Sequence, residues 1–122
     1  MSRAGRIAAE RHGHRSEAIS AWWLRLKGYR IIARRYRTNA GEIDLIVRRG
    51  RVLAFVEVKA RANFRLAADA ISTRQRHRIA RAASQFLAAR PDLAGLDQRF
   101  DVLVIVRRTW PMHLPGAWRL ES

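Results

Sequence analysis

The run Gly41-Glu42-Ile43-Asp44-Leu45-Ile46-Val47-Arg48-Arg49-Gly50-Arg51-Val52-Leu53-Ala54-Phe55-Val56-Glu57-Val58-Lys59-Ala60 decides how this chain folds. Two apolar stretches rich in Val and Ile flank a short basic segment with one glycine, the pattern of two strands joined by a tight turn. The first strand is expected from Glu42 to Arg48 and the second from Val52 to Ala60. Side chains alternate along a strand, so Glu42 and Asp44 share one face while Ile43, Leu45 and Val47 take the other. By the same rule Glu57 and Lys59 project together, opposite Val56 and Val58. Antiparallel pairing of the two strands then brings Asp44 beside Glu57 and Lys59 at one edge of the sheet.

Outward from this hairpin, Tyr29 to Tyr36 reads as an earlier strand and Thr38-Asn39-Ala40-Gly41 as its turn. A helix is expected from about Ser16 to Lys27, with Ala18, Ile19, Trp22, Trp23 and Leu26 on its inner side and Gly28 as its C-terminal stop. Trp22 and Trp23 are therefore expected in the core. Arg61 to Ile71 shows little periodicity. A second helix starts at about Ser72 and stops before Pro91. Its apolar face is Ile79, Ala83, Phe86 and Leu87, and Arg74, Arg78 and Arg81 recur at helical spacing elsewhere on it. Arg99 to Val106 reads as a fourth strand, followed by a tail with Trp110, Pro111, Pro115 and Trp118. The order α-β-β-β-α-β predicts an α/β fold. A three-strand meander is joined by a fourth strand after a helix, giving a central mixed sheet flanked by helices.

The chain has 122 residues, enough for one domain spanning 1–122. It has no cysteine, which excludes disulfides, thiolate zinc sites and a cysteine nucleophile. No apolar run approaches the roughly 18 residues of a membrane span, and Met1 to Gly13 lacks the apolar stretch of a secretory signal. A cytoplasmic, membrane-free protein is expected by default. The net charge of +15 and the pI near 11.9 point to a polyanionic partner, nucleic acid foremost. Of the 25 basic residues only Lys27 and Lys59 are lysine, the rest arginine. One of these two lysines thus stands two residues from Glu57.

Charges in otherwise apolar strands are costly unless paired or metal-bound. Carboxylates without histidine or cysteine favour a hard cation held by oxygen, Mg²⁺ or Mn²⁺ rather than zinc. Such a cation polarises a phosphate and activates water. A lysine ammonium beside it can orient or help deprotonate the attacking water, a task closed to arginine. The plain alternative is a structural Glu57–Lys59 or Asp44–Lys59 ion pair on a half-solvated face. Arg61 continues the face of Glu57 and Lys59 and is expected to contact phosphate, while Arg74, Arg78 and Arg81 either line a nucleic-acid groove or form a solvated face. Ser72-Thr73-Arg74-Gln75 reads as a capping box, in which Gln75 reaches back over the helix start. Asp101 is expected to pair with an arginine. His12 and His14, flanking Gly13 in a basic segment, suit mobility or phosphate contact better than metal binding, and His77 and His113 show no partner signature.

Gly41-Glu42-Ile43-Asp44-Leu45-Ile46, Phe55-Val56-Glu57-Val58-Lys59-Ala60-Arg61 and Arg99-Phe100-Asp101-Val102, with Glu17 and the Lys27-Gly28-Tyr29 corner, resemble the YraN-like family of small bacterial proteins. That family is similar to the PD-(D/E)xK nuclease superfamily and to archaeal Holliday-junction resolvases, with a restriction-endonuclease-like αβββαβ core. The resemblance implies metal binding by Asp44, Glu57 and the Val58 carbonyl, with Lys59 as the catalytic lysine. Glu17 matches an acid that points toward the metal site in resolvase-like members, and Gln75 a polar residue near the same centre. The chain departs from the pattern at Ile43, where a proline often stands, and at Phe64 to Ala68, which lacks the usual glycine-containing turn. The expected activity is Mg²⁺-dependent hydrolysis of phosphodiester bonds in DNA, branched or single-stranded forms included, by a homodimer if it follows the resolvases. The alternatives are a non-catalytic nucleic-acid-binding protein on the same fold and a basic component of an RNA assembly.

Overall fold

The computed structural model describes residues 3–64 and 71–120, with side chains from Arg15 onward. The expected hairpin forms. Arg49 pairs with Val52, so only Gly50 and Arg51 turn the chain between β2 (Glu42–Arg49) and β3 (Val52–Arg61). Gly50 sits at φ 60°, where a side chain would be strained. Upstream, β1 (Arg30–Arg37) pairs antiparallel with β2. The Thr38 hydroxyl closes their turn by accepting the N–H groups of Ala40 and Gly41. After β3 the chain crosses through α2 (Thr73–Ala89) to β4 (Asp97–Val106), which lies parallel to β3. The sheet order is β1-β2-β3-β4-β5.

The fifth strand, β5 (Met112–Leu114), was not expected. It has three residues between prolines, too short for a visible alternation, and is held by antiparallel pairing to β4. The first helix, α1 (Arg3–Leu26), also begins well before Ser16. Nothing between Arg3 and Arg15 breaks a helix outright, since each glycine there costs only about 1 kcal/mol. Its C-terminus is a Schellman motif: Gly28 at φ 90° donates to the Arg25 carbonyl and Tyr29 to that of Leu24.

The two helices cover opposite sheet faces. Phe55 and Leu53 point to the α2 side, where they pack with Ile43, Ile46, Ile79, Ala82, Ala83 and Phe86. Ala54 and Val56 point to the α1 side with Ala21, Leu24, Leu45, Val47 and Leu103. The inner face of α1 differs from expectation. It is built from Ser16, Ser20, Ala21 and Leu24, with Trp23 only partly buried. Trp22 is 51% exposed, and Ala18, Ile19 and Leu26 also face out. Small residues let the helix lie close on the sheet, and Ser20 satisfies its buried hydroxyl by donating to the Ser16 carbonyl at 2.8 Å. Ile43 departs too: it packs on the α2 side instead of joining Leu45 and Val47 on the other face.

Candidate functional site

The change of face occurs at Asp44, where the sheet forks. The last β2–β3 ladder pair is Leu45↔Val56. Beyond it the start of β2 stays with β1 through Tyr36↔Ile43 and Arg37↔Glu42. The end of β3 stays with β4 from Glu57↔Val102 to Arg61↔Val106. Strands that part leave backbone groups without a ladder partner. The Asp44 carboxylate supplies one, accepting the Val58 N–H at 2.8 Å. A strand residue directs its N–H and C=O to the same side, so the Val58 carbonyl also faces the fork. On β1, Arg35 across from this point adopts φ 50°, an unusual conformation for a bulky residue.

Glu57 is the centre of the cluster. Its Oε1 lies 3.3 Å from the Lys59 Nζ and accepts from the Gln75 Nε2 at 3.2 Å. The Glu57 and Lys59 side chains are 11% and 16% exposed, so this pair is far from a solvated ion pair. Asp44 and Glu57 lie close enough for each carboxyl to act on the other's titration. Burial, more than any neighbour, pushes the Asp44 carboxyl above its ordinary value. Burial and the Asp44 charge push Glu57 up to about 7, against the pull of Lys59. One lysine does not neutralise two buried carboxylates.

The resemblance placed Gln75 near this centre, whereas the capping box had it reaching back over its own helix. Half the box forms: Ser72 is the N-cap, and its hydroxyl accepts the Gln75 N–H at 3.1 Å. The other half is overturned, because the Gln75 amide instead bridges α2 to Glu57. Arg78, one turn further on, lines a cavity of about 220 Å³ with Gly41, Glu42, Asp44, Glu57, Gln75 and Ile79. A Cβ on Gly41 would stand 3.3 Å from the Arg78 Cβ, so glycine allows the β1–β2 turn to approach α2.

Of the other candidates, Arg74 and Arg81 are exposed on α2, spaced with Arg78 along one helix face. Arg61 is half-buried and lines a different cavity, between α1 and the ends of β3 and β4. Glu17 lies 3.4 Å from the Arg35 guanidinium, which also approaches Glu42, and is not among the residues lining the acidic cavity. The stretch 65–70 and the side chains of His12 and His14 lie outside the described residues.

Among the described residues, no group of three or more His, Cys, Asp or Glu side chains converges as a metal site. The donors at the fork are two carboxylates and one carbonyl. That all-oxygen set with surplus negative charge fits a hard divalent cation that keeps several waters.

A second cluster escaped the sequence reading. Asp101 is fully buried and accepts two bonds from Arg99, each 2.8 Å, and the Gly116 N–H at 2.9 Å. The pairing with an arginine was expected. His113, which showed no signature, donates through Nε2 to Asp101 at 2.7 Å and accepts at Nδ1 from Lys27 at 2.6 Å. Burial alone would raise the Asp101 carboxyl, but His113, Arg99 and Gly116 hold it below its ordinary value. His113 lies 86 residues from Lys27 in sequence, so no local spacing could have disclosed the contact.

The model of the Uncharacterised protein family UPF0102 matches residues 16–105. The chain is 57% identical over 113 residues to a UPF0102 protein of Parvibaculum lavamentivorans, across 93% of this chain and 85% of the relative. A UPF0102 protein of Methylorubrum extorquens is 50% identical over 119 residues, 98% and 93% of the two chains. One from Paramagnetospirillum magneticum is 47% identical over 118 residues, 93% and 92%. No helix among the described residues is long and apolar enough to cross a membrane. With its motifs on one forked sheet and these relatives along nearly its whole length, the chain belongs to UPF0102, the YraN family.

Proposed function

We propose that this protein is a divalent-cation-dependent phosphodiesterase acting on nucleic acid, with DNA as the expected substrate and Mg²⁺ or Mn²⁺ as the cation. The observation that carries this reading is the buried, under-neutralised Asp44–Glu57 pair at a fork in the sheet, with Lys59 on the same carboxylate. Asp44, Glu57 and the Val58 carbonyl would hold the cation, which supplies positive charge to the phosphate and acidity to water.

The remaining work belongs to the chain. The Glu57 bond keeps the Lys59 Nζ at the edge of the site, where an ammonium can orient the attacking water and offset charge on the phosphorane. Gln75 fixes the Glu57 rotamer from the neighbouring helix. Arg78 at the cavity rim, with Arg74 and Arg81 on the same helix face, would contact successive phosphates.

Incubation of linear, nicked and four-way-junction DNA with Mg²⁺ or Mn²⁺ tests the reading. Cleavage is expected for the wild-type protein and at least about 100-fold less for Asp44→Ala and Lys59→Ala. Activity that persists in both variants contradicts it. Tight, metal-independent binding without cleavage would favour a non-catalytic nucleic-acid-binding protein on this fold.

A further inference from the structure

At the opposite end of β3 from its turn, a second and larger cavity of about 660 Å³ opens between α1 and the ends of β3 and β4. Its described lining has two components. Arg15, Arg61, Arg107 and Arg108 supply four guanidiniums, and Ile19, Ala60, Ile105, Val106 and Pro111 supply apolar surface. No described lining residue is acidic, and Arg15, Arg107 and Arg108 have no ion pair with any described residue. Arg108 is held at φ 64°, in a turn tied by the Thr109 N–H and hydroxyl, which both donate to the Val106 carbonyl. Left-handed backbone at a bulky residue carries strain that the surrounding structure must sustain.

Beside the cavity stands an aromatic ladder. Trp110, between lining residues Thr109 and Pro111, is 71% exposed and stacks on Trp23 with centroids 5.5 Å apart. Trp23 in turn meets Trp22 at 6.4 Å. Both lie one helical turn beyond Ile19, itself a lining residue. Trp110 thus has one face backed by Trp23 and most of its surface open to solvent.

We infer that this cleft and the Trp110–Trp23 ladder bind an unpaired segment of nucleic acid, the guanidiniums taking phosphates and Trp110 stacking a base. The chemistry discriminates among occupants. Arginines alone would suit any duplex backbone, but a duplex hides the flat faces of its bases, and an open indole needs an exposed one. A second copy of the chain would bring its own net charge of +15 and its own four arginines against these. The inference shares with the proposed function the premise that the partner is nucleic acid, but it does not require the metal centre. Arg61, two residues beyond Lys59 on β3, links the two regions along one strand.

Fluorescence anisotropy of a labelled oligothymidylate of about 15 nucleotides, against a blunt duplex of equal length in EDTA, tests the inference. The single strand is expected to bind more tightly and to quench tryptophan fluorescence. Trp110→Ala and the double variant Arg107→Gln/Arg108→Gln should each lose at least about fivefold in single-strand affinity. Trp110→Phe should recover part of it. Trp110 is too exposed for its loss to unfold the protein, and the arginine variant tests the cleft independently. The assay contains EDTA and needs no cation, so a failure of catalysis leaves this result standing. Equal affinity for both forms, or single-strand binding indifferent to Trp110 and to both arginines, overturns the inference. So does a Trp110-dependent dimer in sedimentation whose dissociation leaves oligothymidylate affinity unchanged.

Discussion

Two buried carboxylate clusters sit on opposite faces of the same sheet, and each borders one of the chain's two lysines. On the α1 side Asp101 has more partners than its charge requires: Arg99 twice, His113 and the Gly116 N–H. On the α2 side Asp44 and Glu57 share one lysine, one amide and one backbone N–H. The carboxyl shifts follow this difference, downward at Asp101 and upward at Asp44 and Glu57. Buried acids that are fully partnered hold a fold together. Buried acids left with surplus charge cost stability, and groups perturbed in this way concentrate at functional sites.

The largest expected effect lies on the saturated side. Asp101→Asn removes the charge that Arg99 and His113 face, and should lower stability by about 3–5 kcal/mol in urea denaturation. Glu57→Gln on the other side should leave the metal-free protein at pH 7 as stable as before or more so, by up to about 3 kcal/mol. A comparable loss at both sites would erase the distinction between them.

The pH dependence sharpens the same contrast with opposite signs. Glu57 has its carboxyl raised from 4.5 to about 7 on folding. Between those values the native state holds the proton more tightly than the unfolded chain. Its contribution is therefore complete below about 4.5 and is lost as pH rises through about 7. Asp101 is lowered from 3.8, so its contribution is present above that value and lost as pH falls below it. Metal-free wild type should lose stability relative to Glu57→Gln as pH climbs from 5 to 8, in roughly the proportion a carboxyl shifted this way requires. A difference that does not change across that range would break the assignment of surplus charge to Glu57.

What was readable in the sequence follows from the range of the interactions. Strand alternation around Asp44 and Glu57 is local, so the hairpin and the convergence of the two acids with Lys59 could be read directly. The fork could not, because it depends on which neighbour each strand keeps, β1 for Ile43 and β4 for Glu57. Beyond the fork Ile43 packs on the α2 side. The α1 face was misjudged because two tryptophans outweighed Ser16, Ser20 and Ala21 in hydrophobicity, while close packing selects for size. Gln75 offered two readings, and only the position of Glu57 across from α2 separates them. The Lys27–His113–Asp101 chain is long-range throughout.

A smaller effect probes the bridge between α2 and the site. Gln75→Ala deletes one hydrogen bond to Glu57 and should change stability by about 1 kcal/mol or less. It should nevertheless lower any cation-dependent activity, because Glu57 loses the contact that fixes its rotamer. A loss of stability without a loss of activity would make Gln75 a purely structural tie.

Calorimetric titration of the metal-free protein with Mn²⁺ near pH 6.5 tests most directly whether the surplus charge at the fork is a cation site. Saturable binding with release of protons is expected, because Glu57 must ionise to bind, with loss of that binding in Asp44→Asn but not in Asp101→Asn protein that remains folded. No binding to wild type, or binding of equal strength in Asp44→Asn, would contradict it.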